Sequence, residues 1–272
     1  MPVTIATAQV PPPQSDRFPM QSVITGNPGP PIDAFYALPA EQDWVDYSNY
    51  ESDLVSQRIL AAVQAVRTGM KSNRLISVHN GYLIELMGSF SGHFSVNQLL
   101  SSSYIDSLAG GLTPYDRLAG GAGQEGVPVD SVNANGKVWL NVTDLNTYLA
   151  ANSIYQSGGL SNPPTADLTE TVDVLDRETA SNLVHRSGNW WFDLNENGAF
   201  MDPNIWTPMS IYGIPLFNQL YANPQPYKAD VALIIDRNSI FYQKSDEDMM
   251  IAQRAAQRAA LRYALFDAAP IR

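Results

Sequence analysis

Carboxylates, amides and tryptophans gather at a few points of this sequence, and each gathering has a recognisable chemistry. Trp190 and Trp191 precede Asp193 closely, and Glu196 lies three residues further on. An indole stacks on the apolar C–H face of a sugar while a neighbouring acid takes hydrogen bonds from its hydroxyls. Asn141 and Asp144 form a second polar group; His79, Asn80 and Tyr82 form a third. Retaining cleavage of a glycosidic bond needs one carboxyl to protonate the leaving oxygen and another, ~5 Å away, to attack the anomeric carbon. Asp193, Asp144 and Glu196 are the carboxylates available for such work, with His79 as an assisting base. Asn80, Tyr82, Asn141, Trp190 and Trp191 are the candidate sugar-binding residues. A purely structural reading stands beside each: the two tryptophans alternate between the two faces of a strand, and Asp144 caps a helix beginning near Leu145.

Positioning these groups requires strands that end beside one another. Leu75-Ile-Ser-Val-His79 reads as a buried strand, and Tyr104-Ile-Asp-Ser-Leu-Ala109, Lys137-Val-Trp-Leu-Asn-Val142 and Asn189-Trp-Trp-Phe-Asp193 read as three more. Helical spacing runs over 46–68, where Val55, Ile59, Ala62 and Val66 recur, ahead of the first strand, and over 93–103 and 170–186 between later ones. Strands alternating with helices in this way predict an α/β fold with a parallel sheet of right-handed βαβ units. Ahead of them lies a proline-rich stretch over 1–45, expected to be extended or turning because proline fixes φ and lacks an N–H. Behind them Val231-Ala-Leu-Ile-Ile-Asp236 predicts a further strand. Ser245-Asp-Glu-Asp248 then predicts a helix start, with Met249, Ala252, Ala256, Ala259 and Tyr263 on one helical face. The expected organisation is an extended arm over 1–45, four β/α units over 46–222 and the first Rossmann-like βα unit of a second domain over 228–272. A lone βα unit must pack on the preceding domain or on another chain.

The order of these stretches resembles the family 42 β-galactosidases, in the clan of (β/α)8 glycoside hydrolases. The likeness is carried by Val3-Thr-Ile-Ala-Thr-Ala-Gln-Val-Pro11; by Asp53-Leu-Val with Leu75-Ile-Ser-Val-His-Asn-Gly-Tyr-Leu-Ile-Glu-Leu86; and by Ser91-Gly-His-Phe with Ile105-Asp-Ser-Leu-Ala109. It continues in Pro128-Val-Asp-Ser-Val and Gly136-Lys-Val-Trp139, and in Trp190-Trp-Phe-Asp-Leu194 with Asp202-Pro203. The resemblance implies that 75–193 hold the fifth to eighth strands, a half (β/α) barrel, and that the tail opens the amidotransferase-like domain that follows. It also implies a galactoside-type ligand at the C-terminal ends of the strands. The family's Asn-Glu acid/base pair would precede Val3, and the position expected to carry the nucleophilic glutamate holds Val142. The chain accordingly begins in mid-barrel and reads as a truncated form with altered activity. Its rivals are a non-catalytic oligomeric remnant and a hydrolase of another class, such as a serine esterase. Half a barrel leaves strand edges that must be covered, and a homo-oligomer, most simply a dimer, is the expected solution.

Other classes are excluded or lack support. Sixteen Lys+Arg against 27 Asp+Glu give a net charge of −11, which repels nucleic-acid backbones and anionic lipid. There is no cysteine, hence no disulfide, thiolate metal site or Cys nucleophile. His79, His93 and His185 show no metal spacing, His93 fits a turn and His185 is expected to face outward from its helix. No Gly-x-Ser-x-Gly elbow occurs; Gly88-Ser-Phe-Ser-Gly92 has phenylalanine at its centre. The glycines between Gly110 and Gly126 suit a flexible loop at the site, since the Lys-Ser/Thr of a phosphate cradle is absent. No cofactor is implied. No signal peptide or ~18-residue apolar run is evident, so a cytoplasmic location is expected.

Overall fold

Four short parallel strands run side by side in chain order. In the computed structural model these are β1 (Ser77–His79), β2 (Ser107–Gly111), β3 (Val138–Thr143) and β4 (Gly188–Trp191). Residues 35–80, 83, 92–112, 117–123, 125–150, 163–194, 196, 198–224, 227–243, 252, 255–259 and 261–267 are described. Residues 1–34 of the arm, Tyr82, Ser91 and the acidic run 245–248 lie outside them.

Register fixes which side chains share a face. Val78, Leu108 and Trp139 lie in one row; Gly110, Asn141 and Asn189 lie in the next row on the same side. Leu108, Trp139, Asn141 and Thr143 are fully buried on this side. Along β3 the alternate positions Val138, Leu140 and Val142 are exposed, half-buried and buried in turn, so the opposite face is the more open one over the first part of the strand.

The helices follow their sequence periodicity. The first, α1 (Gln42–Gly69), buries Val45, Ser48, Ser52, Ser56 and Val63. The short α2 (Val96–Leu100) places Val96, Leu99 and Leu100 in the core with Phe94. A further short helix, α3 (Val129–Ala134), leads into β3. The best-formed is α4 (Leu168–Val184). Asp167 accepts from the Glu170 N–H, and Glu170 reaches back to the Ala166 N–H, supplying partners for first-turn donors. Thr171, Val174, Leu175, Glu178, Thr179 and Asn182 form its buried stripe, at the three- and four-residue spacing of an amphipathic helix. After β4, α5 (Pro203–Pro208) and α6 (Ile214–Ala222) flank a wider turn at Met209–Gly213.

The tail differs from the expected lone βα unit. After β5 (Val231–Ile235) comes the one-turn α7 (Arg237–Ile240), and the last described residues form a second strand, β6 (Tyr263–Asp267), parallel to β5. Tyr263, expected on a helix face, opens this strand, while residues 255–258 are helical. The tail packs on the preceding unit, as one of the two expected arrangements requires. Ile235, Ile240, Phe241, Tyr263 and Leu265 join the same apolar cluster as Phe94 and Leu108. On α3, Asp130 Oδ2 accepts from Leu265 N at 2.7 Å and Ser131 Oγ from Asp267 N at 2.8 Å. Those two side chains satisfy strand N–H groups that would otherwise form an open edge.

Candidate functional site

Each predicted site residue other than Tyr82, which lies outside the described residues, sits in the C-terminal part of one of the four sheet strands or just beyond it, and their surroundings differ sharply. At the end of β1, His79 is exposed. His93 lies close enough for the two to repel as cations; burial, aided by that repulsion, lowers the His93 pKa to about 4. Asn80 continues the ladder by donating its N–H to Ala109 O at 2.9 Å. Its side chain is completely buried, and among the described residues neither Oδ1 nor Nδ2 has a hydrogen-bond partner. An unsatisfied buried amide costs about 1–3 kcal/mol.

The carboxylates are held by the protein itself. Arg117, 2% exposed, donates from Nη1 to Asp144 Oδ1 at 2.5 Å and from Nε to Glu178 Oε1 at 2.7 Å. Burial alone would disfavour the guanidinium charge, but the two carboxylates around it raise its pKa well beyond the ordinary arginine value. Asp193 Oδ2 accepts from the N–H groups of Gly198 and Ala199, at 2.7 and 3.2 Å, pinning the turn after β4. Glu196 is exposed on that turn, in left-handed backbone at φ 51°.

Asn141 lies on the helix-covered face. Its Oδ1 accepts from Trp139 Nε1 at 2.5 Å, and its Nδ2 donates to Glu125 Oε2 at 3.2 Å and to Asn182 Oδ1. Ser181 Oγ donates to Glu125 Oε1 at 2.7 Å, and Asn182 Nδ2 to Asn189 Oδ1 at 3.0 Å. Asn189 Oδ1 also accepts from Thr143 Oγ1 at 2.8 Å. This is a connected buried network in which the polar groups satisfy one another.

The two tryptophans do point to opposite faces. Trp191 lies edge-on to Trp206, with ring centroids 5.2 Å apart and planes at 87°, in the cluster under α4. Trp190 lies in register with Val142 and Gly111 on the open face. It is 46% exposed, and its ring sits 5.4 Å from Phe192. The structure thus puts His79 and Trp190 on the same face but on the two opposite outer strands of the sheet, and leaves Asp144 and Asn141 in separate internal networks.

Arg117, Glu178, Glu125 and Asp130 escaped the sequence reading, and His185 was misplaced by it. His185 is 3% exposed, with Nδ1 3.0 Å from Asp130 Oδ2 and its ring between those of Tyr227 and Tyr263. The helix ends at Val184, so the outward wheel position no longer applies and the next residue turns inward. Glu178 was findable: four residues after Val174 and three after Leu175 on an apolar stripe, it had to be buried and therefore to have a cationic partner.

Among the described residues no group of three or more His, Asp or Glu is placed to hold a metal ion. No helix among them is long and apolar enough to cross a membrane. No protein-family model, curated protein or solved structure matches the chain.

Proposed function

We propose that the chain is a half (β/α) barrel of glycoside-hydrolase type that binds a β-galactoside-type carbohydrate at the C-terminal edge of its sheet. The observation that carries this is Trp190, a half-exposed indole on the open face at the end of β4. A flat apolar ring there suits the C–H face of a sugar, and galactosides present such a face. The reading is binding rather than retaining hydrolysis. Asp144 is paired to a buried arginine and Asp193 braces a turn, so neither is a second carboxyl facing a common sugar. A cytoplasmic location belongs to the same reading.

Titration with lactose, followed by tryptophan fluorescence, tests it. Saturable quenching is expected, weakened about tenfold or more in Trp190→Ala, as loss of a stacking aromatic with its buried area implies. A chromogenic β-galactoside should not turn over. Turnover abolished by Asp193→Asn would restore the hydrolase, and an unchanged titration in Trp190→Ala would remove the sugar platform.

The open face also supports a homodimer as the assembled form. Val138 and Trp190 expose 42% and 46% of their surface on it, and β1 and β4 each have a strand neighbour on one side only among the described residues. A two-fold axis along the strands would set two such faces against each other and cover both edges. Light scattering at micromolar concentration should give twice the chain mass; a stable monomer would end this part of the reading.

A further inference from the structure

Between Asp202 and Lys228 the sequence has no Asp, Glu, Lys, Arg or His, the longest stretch of the chain without one. This stretch folds into α5, the wider turn at Met209–Gly213 and α6, three consecutive pieces of helix. One side of it is anchored on α4. Met209 and Gly213 are buried there. Thr179 Oγ1 donates to Met209 Sδ at 3.4 Å, and a Cβ on Gly213 would come within 3.3 Å of that sulfur. Tyr212 donates its hydroxyl proton to Asp176, also on α4.

The other side is apolar and faces solvent. None of the residues of α6 is buried. Ile211 is 67% exposed, Ile214 51% and Tyr221 66%, and Asn218, between the last two, is exposed as well. Their spacing of three, four and three residues lines side chains up along a helix. It is the a/d seam of a coiled coil with an asparagine at an inner position. A single exposed apolar side chain needs no explanation, whereas a strip of them marks an interaction surface. What this strip fits is a second copy of itself. The chain carries a net charge of −11, so two copies repel where their acidic surfaces meet. Along this uncharged stretch they can touch with no like charges opposed. Asn218 favours the same occupant: an amide in mid-seam can donate to and accept from its own counterpart, and asparagines so placed fix register and pairing. A lipid surface would leave that amide without a partner.

We infer that α6 is a self-association surface, on which two copies pair in parallel about a two-fold axis running along the helix. Ile211, Ile214, Asn218 and Tyr221 then each meet their own counterpart. The surface is separate from the sheet face that carries Trp190, and its pairing is independent of whether a monomer or a sheet-face dimer enters it. A strip two helical turns long makes a weak, transient interface, with a Kd of about 100 µM expected. The pairing therefore sets in above the micromolar range in which the sheet-face dimer is measured.

The test is sedimentation equilibrium of the whole chain from micromolar to millimolar concentration. The mass is expected to double as concentration rises through about 100 µM. Ile214→Glu changes an already exposed position and should abolish the doubling, because a carboxylate then opposes a carboxylate across the axis; circular dichroism confirms the fold. Ile214→Lys alone should fail in the same way, and an equimolar mixture of the two variants should double again, since opposite charges then meet. Val138→Glu strikes the sheet-face dimer and should leave the doubling in place, so failure of that reading is told from failure of this one. A mass that does not rise with concentration, a doubling that persists in Ile214→Glu, or no restoration in the mixture would each overturn the assignment. So would flotation with phosphatidylcholine vesicles that is lost in Ile214→Glu, which would give the strip to a membrane surface.

Discussion

Arg117→Met is expected to lower the free energy of unfolding by about 3–5 kcal/mol, the range for removing one partner of a buried ion pair. The cost lies in what remains. Glu178, its side chain 1% exposed, would keep a charge in the interior with no counter-ion within hydrogen-bond reach, since Arg177 is 3.8 Å away. Asp144, its side chain 27% exposed, can recover water and contributes less. The double variant Arg117→Met with Glu178→Leu should regain most of the loss, because apolar replacement of a whole buried pair is often close to neutral. Urea unfolding followed by tryptophan fluorescence measures both. A single-variant loss below about 1 kcal/mol would mean that water reaches Glu178 and that Arg117 is not the keystone between β3, α4 and the glycine-rich turn.

How such a keystone escaped a reading of the sequence follows from where the information lies. The four sheet strands and α4 were legible because each repeats a local pattern, and their bounds came out within about three residues. The strand β6 was not. Ala252, Ala256, Ala259 and Tyr263 sit at helical spacing, and nothing local says that the helix stops before Tyr263. The strand forms through its pairing with β5 and through acceptors on α3, which are tertiary facts. The polar residues divide in the same way. That Asn141 shares a face with Trp139 could be read from strand alternation, and a fully buried Trp139 then commits Asn141 to the helix side. That Asn80 would be left without a partner among the described residues could not be read, since it depends on which side chains the neighbouring elements do not bring to it. Trp190 and Trp191 fell between these cases: alternation was foreseeable, but which ring faces the open side is decided by Trp206, fifteen residues on.

Stability should fall as pH rises from about 5 to 8, contrary to what an acidic chain stabilised mainly by surface carboxylate pairs would show. Two buried groups set the sign. Burial raises the Glu125 pKa, outweighing the hydrogen bonds from Ser181 and Asn141 and the attraction of His185. For His185, burial acts to lower the pKa, but the hydrogen bond and charge of Asp130, together with the charge of Glu125, win and raise it. Both groups thus bind a proton more tightly folded than unfolded. Their stabilisation is complete below the unfolded values, 4.5 for the glutamate and 6.5 for the histidine, and is lost as pH climbs through the folded values. Each unit of separation is worth about 1.4 kcal/mol. The depressed carboxylates act elsewhere: Asp106, held down first by the Ile76 N–H and then by Arg67, loses its contribution only as pH falls through and below the ordinary value of 3.8. Glu125→Gln should therefore raise stability at pH 8 and flatten the profile. The amide can accept from Asn141 and donate to Ser181, so the network survives. Asp130→Asn should instead remove the part of the slope above pH 6.5, while its Oδ1 still accepts from Leu265 N. Urea midpoints at half-unit steps of pH decide the matter. A flat wild-type profile, or an unchanged slope in Glu125→Gln, would show that the interior around Glu125, His185 and Asp130 does not take up the protons this geometry assigns to it.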